Sequence, residues 1–329
     1  MIPGPRPATR PKEVVAAIDA GKTKFLAGVF TPDANELERC RIRVTTPRET
    51  VDALLAYLDG ICERYSVVAI GLAVFGPLEV NPGLGDFGGI VGSSEPQWSG
   101  VNLPSMLTTR FHVPVLFDFD VNAAAIAEAR NMTLPAEDFV YLSIGTGIGG
   151  TFHGPPGRTV PRTDPPQLGH MHLPREPDDG YPGSCRFHGA CFQGLASGRA
   201  LSGRWQRPTH ELPAGHRAWD LEARYIARAC ANLLYSCSFT TVRMGAGISQ
   251  IPGLVARANH YLRLFMNGFP ENLWRGIADR NVIEVARTAP HSSLLGAALQ
   301  AIEGTGLVFP PDRPAPGPAP SRTSFRIPN

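Results

Sequence analysis

Between Gln167 and Gly194 the chain reads QLGHMHLPREPDDGYPGSCRFHGACFQG, a segment with neither helical nor alternating apolar period. Cys185, His188 and Cys191 are each separated by two residues, and His170 and His172 lie upstream. Thiolate and imidazole are the ligand atoms Zn²⁺ prefers, and a closed set of four marks a structural site rather than a catalytic one. Zinc is the favoured reading against free thiols in a loop, and His172 competes with His170 for the fourth position. Gln167 and Gln193 stand just outside the cluster.

Two glycine turns offer a different chemistry. AGKTK at 20–24 lacks the earlier glycine of a nucleotide P-loop, with Ala16 in its place, and an apolar strand follows where that motif needs a helix. GTGIGG, from Gly145, fits G-x-G-x-x-G, yet the TFHGPPGRT after it cannot be the helix a dinucleotide fingerprint requires. Both segments read as turns between strands that present backbone amides, and the hydroxyls of Thr23 and Thr146, to phosphate. A plain hairpin turn accounts for AGKTK equally. In FDFDVNAA, Asp120 falls where a strand passes into a helix. Open α/β sheets place reactive groups there, and helices place N-caps there. Asp118, two residues earlier on the same strand face, is the lesser candidate.

The elements around these residues alternate between periods. VVAAIDAGKTKFLAGVF from Val14 reads as strand, turn, strand, and DFVYLSIGTGIGGTF from Asp138 repeats that pattern. VVAIGLAVFG and VPVLFDFDVN are further strands. Helices are expected in RETVDALLAYLDGICERY, AAAIAEARN, WDLEARYIARACANLLYSC, IPGLVARANHYLRLFMNGF and SLLGAALQAIEG. The class is mixed α/β. A chain of 329 residues, 43% hydrophobic and 18% charged, is long enough for two cores. A formal charge of +2 gives no broad basic face, so nucleic acid and anionic membrane are set aside in favour of small molecules. No apolar run approaches the roughly 18 residues of a membrane span. MIPGPRPATRPKE lacks the apolar core of a signal peptide, so a cytoplasmic location with reduced cysteines is expected.

Taken in order, the motifs resemble the ROK family of sugar kinases, in its fructokinase branch, from about Val14 to Gly304. Asp19-Ala20-Gly21-Lys22-Thr23-Lys24 matches the family's D-x-G-G-T-K phosphate loop, with Lys22 in place of the second glycine. GLAVFGPLEVNP and the later Trp98 match its sugar-domain strand and loop, FDFDVNAAAIAE its catalytic strand, and GTGIGG its second phosphate loop. GAGISQIPG from Gly245 matches the adenosine-side loop, and GLASGRAL and WDLEARYIA continue the match.

The resemblance implies an actin-like ATPase fold of two ribonuclease-H-like domains, with ATP and sugar meeting in the cleft. Its expected organisation is a flexible 1–13, an N-terminal domain 14–122, a C-terminal domain 123–308 with a zinc loop at 167–194, and a disordered Pro-rich tail 309–329. It implies Asp120 as the general base and His170, Cys185, His188 and Cys191 as zinc ligands. Asp19, Gly21, Thr23, Lys24, Gly145, Thr146, Gly147, Gly149, Gly245 and Gly247 would hold ATP with Mg²⁺. Gly76, Pro77, Asn81, Asp120, Gln167, His170 and Gln193 would meet the sugar. At Gln167 and Gln193 the family usually carries glutamates. The implied reaction is ATP-dependent phosphorylation of a hexose, fructose first, by a homodimer; the family's repressors carry a DNA-binding module that the residues before Val14 are too few to form.

Overall fold

A computed structural model describes residues 12–131, 138–154, 165–237, 239 and 241–309. Most of the expected flexible N-terminus and nearly all of the Pro-rich tail lie outside them. The chain divides into two compact units, one running to Asp118 and resuming at Ala297, the other Phe119–Gly296.

The first unit is built on a six-stranded sheet. Strands β1 (Glu13–Ala20), β2 (Lys24–Phe30) and β3 (Glu36–Arg43) form an antiparallel meander. β4 (Ser66–Val74) lies parallel to β1, and β5 (Val115–Phe119) comes next in the sheet. Helix α1 (Pro47–Arg64) precedes β4, and α2 (Leu103–Phe111) precedes β5. The start of α1 is written in its sequence: the Thr46 hydroxyl accepts the Glu49 amide, the Glu49 carboxylate accepts the Thr46 amide, and Pro47 opens the first turn. Val51, Leu54, Leu58 and Ile61 recur at helical spacing on its buried side, and each contributes roughly 1.5–3 kcal/mol by leaving water.

The second unit carries a four-stranded sheet and most of the helices. α3 (Asp120–Arg130) is followed by the hairpin β6 (Phe139–Ile144) and β7 (Ile148–His153). The cysteine-rich loop leads to α4 (Phe192–Ala196), α5 (Gly198–Trp205) and the long α6 (Ala218–Ser236). Then come β8 (Val242–Gly245), α7 (Leu254–Met266), α8 (Glu271–Ile277), β9 (Ile283–Val285) and α9 (Ser292–Glu303). β8 and β9 are parallel to β6, giving the order β7-β6-β8-β9. Leu142, Val242 and Met244 of the sheet share one core with Trp219, Ile226 and Leu262 of the helices.

From Ala297 the chain belongs to the first unit again, and β10 (Leu307–Phe309) pairs antiparallel with β5. Gln300 on α9 donates its amide to the buried Asp118 carboxylate at 3.0 Å, which ties that return to the end of β5.

Candidate active site

In the first unit the expected phosphate turn, Gly21 to Thr23, joins β1 to β2. Gly21 N–H donates to Lys24 O at 3.1 Å, and an added Cβ at Gly21 would lie 2.9 Å from that oxygen, which favours glycine at the bend. Asp19 is paired in register with Ala73 of β4, so the turn and the segment after β4 share one edge of the sheet. Phe75 N–H donates to Ala20 O at 3.1 Å, and Lys22 Nζ reaches Ser94 Oγ at 3.0 Å. Lys22 therefore does more than substitute for a glycine: it fastens the turn to the loop before Trp98. That indole is buried against the rings of Phe25 and Phe75, at 5.4 and 5.8 Å. Of the expected sugar contacts, Gly76 and Pro77 follow directly on this edge. Asn81 is exposed, its Oδ1 accepting the Gly83 amide at 2.9 Å.

The second unit gathers the remaining candidates around the first two residues of β7. Asp120 is the first residue of α3 rather than its N-cap, which is Phe119. The helix begins three residues earlier than AAAIAEARN suggests, because a carboxylate in the first turn opposes the positive end of the helix dipole. Asp120 Oδ1 accepts the Val121 amide at 2.9 Å, and Val121 lies against Gly149, whose added Cβ would be 3.0 Å from it. Gly145 N–H donates to Gly147 O across the turn at 2.9 Å. Among the described residues the amides of Thr146 and Gly147 have no acceptor, the condition for a backbone anion site.

The turn after β8 flanks the turn after β6, because Ser143 is in register with Gly245. A Cβ at Gly245 would stand 1.9 Å from the Tyr141 hydroxyl. Ala246 adopts φ 64°, a left-handed conformation that costs a non-glycine residue energy and recurs at functional turns. Gly247 is exposed just beyond. Two contributors were not evident from the sequence. Gly198, at the start of α5, donates its N–H to Gly145 O at 2.7 Å and so backs the Gly145–Gly147 turn; its one signal is the Ser197 N-cap before it. Ile148 is the other. Its N–H is held by Gln193 Oε1 at 2.9 Å, and Gly169 presses so closely that an added Cβ would meet the Ile148 carbonyl oxygen at 2.1 Å.

Through Gly169 and Gln193 the cysteine-rich loop packs on the same point. The nearest side-chain atoms of His170, Cys185, His188 and Cys191 all lie within 4.8 Å of one another. His170 Nδ1 is 3.6 Å from both Cys185 Sγ and Cys191 Sγ and 3.2 Å from His188 Nδ1, which is 3.8 Å from Cys185 Sγ. A tetrahedral ion with bonds of about 2.3 Å to sulfur and about 2.05 Å to nitrogen sets S···N near 3.6 Å and N···N near 3.3 Å. The donor set fits such an ion in chemistry, and these four separations are near those values. His172 is exposed and outside the set.

Close backbone packing shapes this loop. Cys185 and Gly189 exchange two backbone hydrogen bonds, and Cβ atoms at Gly183 or Gly194 would collide with Gly189 O at 2.1 and 1.8 Å. Two buried carboxylates fasten its middle: Asp179 takes both Arg204 Nε and Nη2, at 3.1 and 2.9 Å, and Glu176 takes Arg228 Nε at 2.6 Å. Burial would raise the Asp179 pKa, but the hydrogen bonds from Tyr225 and Arg204 outweigh it and hold the carboxyl below its ordinary range. Burial, followed by the contact with Asp179, pushes the Tyr225 hydroxyl up. Gln167 is exposed at the entry to the loop, its side-chain amide 3.4 Å from Pro165 O.

The sheet order and the helices define an actin-like α/β ATPase fold, and the comparisons agree with it. A ROK hexokinase from Thermus thermophilus superposes with a TM-score of 0.65 at 26% identity, covering 88% of this chain and 98% of that one. The ROK family model matches residues 15–303, and the chain belongs to the ROK family. It is 30% identical to a fructokinase of Pediococcus pentosaceus over 78% of this chain and 88% of that protein. It is 28% identical to a fructokinase of Zymomonas mobilis subsp. mobilis over 87% and 95%. A β-glucoside kinase of Listeria monocytogenes is 27% identical over 86% and 95%.

Proposed function

We propose that this chain, an ATP-dependent sugar kinase, phosphorylates a hexose, fructose first, to the 6-phosphate. The observation that carries the reading is the convergence on Ile148 and Gly149 of the helix that begins with Asp120, the Gly145–Gly147 turn and the cysteine-rich loop.

Phosphoryl transfer asks a protein for position and charge more than for covalent chemistry. The Asp120 carboxylate, at a helix N-terminus and fixed through Val121, accepts the proton of the attacking hydroxyl. In the second unit the uncommitted Thr146 and Gly147 amides are assigned to phosphate oxygens, and in the first unit the Gly21 turn with Thr23 and Lys24 is assigned to phosphate. Asp19 in the first unit and the Gly245–Gly247 turn in the second are assigned to the nucleotide in this reading, whose phosphates Mg²⁺ would neutralise. His170, Cys185, His188 and Cys191 would hold Zn²⁺ as a closed structural set. The ion supplies folding energy to a loop whose Gly-rich backbone has little regular structure of its own. Gly76, Pro77 and Asn81 are assigned to the sugar in the first unit, and Gln167, His170 and Gln193 in the second. A cytoplasmic location, where ATP is available, and a homodimeric assembly belong to this reading.

The test is an ADP-release assay over fructose, mannose, glucose, allose and amino sugars. Highest kcat/KM with fructose supports the reading, and no turnover with any hexose refutes it. A second reading, a kinase for another hexose or a weakly active sugar-binding protein, is favoured by the amides at 167 and 193. The Gln193 oxygen is already spent on Ile148 N–H, so the group it turns to a ligand is a donor, where a glutamate would offer a second acceptor.

A further inference from the structure

The second unit contains a cavity of about 530 Å³ between the Asp178–Pro182 stretch of the cysteine-rich loop, the end of α5 and the start of α6. None of the residues assigned above to ATP or sugar lines it, and its volume lies within the roughly 300–1,000 Å³ of small-molecule sites.

Its charges are unevenly committed. Asp179 is saturated by Arg204 and by the Tyr225 hydroxyl at 2.6 Å, and Asp220 is taken by Arg224 Nη2 at 2.9 Å and the Tyr261 hydroxyl at 2.6 Å. The cations retain donors. Arg217 lies with its guanidinium 4.7 Å over the Trp205 ring and has no carboxylate partner among the described residues. Arg224 Nε, Trp205 Nε1 and Arg204 Nη1 are buried without an acceptor, and the Arg204 side chain is only 7% exposed. Asp178, exposed, is the opposing carboxylate. The Tyr181 and Trp205 rings stand among these arginines. The uncommitted Arg217 guanidinium suits phosphate oxygens, which accept in bidentate fashion, and the aromatic faces suit the C–H face of a ring.

We propose that this cavity binds a phosphorylated sugar at a site separate from the reacting one, and that its occupancy acts on the phosphate turn through α5. The helix connects the two places directly. Its first N–H bonds Gly145 O at 2.7 Å, and Arg204 near its other end bonds Leu195 O at 2.8 Å while lining the cavity. Eight helical residues span about 12 Å, so a ligand that draws on Arg204 or Trp205 displaces the support of the turn.

Calorimetric titration of the full chain tests this, with fructose and a non-hydrolysable ATP analogue saturating the reacting site. Fructose 6-phosphate, inorganic phosphate and further fructose are the probes. One equivalent of fructose 6-phosphate binds the wild-type protein, and Arg217→Gln weakens it by about 10-fold or more, with affinity for the ATP analogue unchanged. The same ligand shifts the KM for ATP in the wild-type enzyme and not in Arg217→Gln. No binding beyond the reacting site, or equal binding by the variant, overturns the site. Inorganic phosphate binding as tightly as fructose 6-phosphate overturns its assignment to a sugar, and a KM for ATP that does not respond overturns the coupling. The titration reads binding without turnover, so its failure is distinct from failure of the kinase reading.

Discussion

Replacing Asp179 by asparagine keeps the shape of the side chain and removes its charge. In the folded protein that carboxylate is 6% exposed and receives Arg204 through two nitrogens, the Tyr225 hydroxyl and the Tyr181 amide. The asparagine leaves the Arg204 guanidinium buried without a counter-charge and sets an amide N–H against one of its nitrogens. Breaking one side of a buried pair costs about 3–5 kcal/mol, which lowers the Tm by on the order of 10 °C in a domain of this size. The pH dependence has a definite sign. Because the folded pKa lies below the ordinary value, the stabilisation is full above about pH 4 and is lost as pH falls through the folded pKa. Differential scanning fluorimetry of wild type and variant from pH 3 to 8 is the assay, on a pH scale chosen to bracket the roughly 3.9 of a free aspartate. The gap should be widest near neutrality and should narrow as pH falls below about 4. A shift of less than about 2 °C at neutral pH would show that the loop does not depend on this pair.

Other consequences are simpler to read. Gly245→Ala places a methyl 1.9 Å from the Tyr141 hydroxyl, so overpacking of about 1–3 kcal/mol should lower stability in thermal melts and raise the KM for ATP. Protein purified without chelator should hold one zinc per chain by elemental analysis, and its removal should lower both thermal stability and sugar affinity. Gln167→Glu with Gln193→Glu should lower the fructose KM by roughly 10-fold per site where charge-assisted bonds to hydroxyls are regained, measured by coupled ADP release.

Local pattern and distant contact account for what the sequence revealed. The hairpins β1–β2 and β6–β7 were legible because apolar runs flank a glycine turn, and their strand continuations correctly excluded a P-loop and a dinucleotide fingerprint. Spacing singled out Cys185, His188 and Cys191 and left His170 and His172 open for the fourth position, which the resemblance gave to His170; the structure gathers those four side chains. β3 was missed because the inward positions of ELERCRIR at the sheet edge are Glu38, Cys40 and Ile42, of which only Ile42 is buried, while Leu37 faces out, so the alternation in burial is not mirrored by an alternation of apolar residues. α4 and α5 are short and contain glycines, which weakens any helical period. The links from Gln300 to Asp118 and from Gln193 to Ile148 join residues far apart in sequence, and no local rule announces them. Gln193 in particular stood out through the resemblance as an amide where the family usually carries a carboxylate, but its bond to the β6–β7 hairpin was not visible.

The central claim, a sugar kinase whose base is Asp120, is tested most directly by steady-state kinetics and ATP binding of Asp120→Asn. The amide can still accept the Val121 N–H that fixes the side chain, so the fold and the nucleotide site should persist. Turnover with the best sugar should fall by about 10²–10⁴-fold with ATP affinity unchanged. Turnover near the wild-type rate would contradict the account.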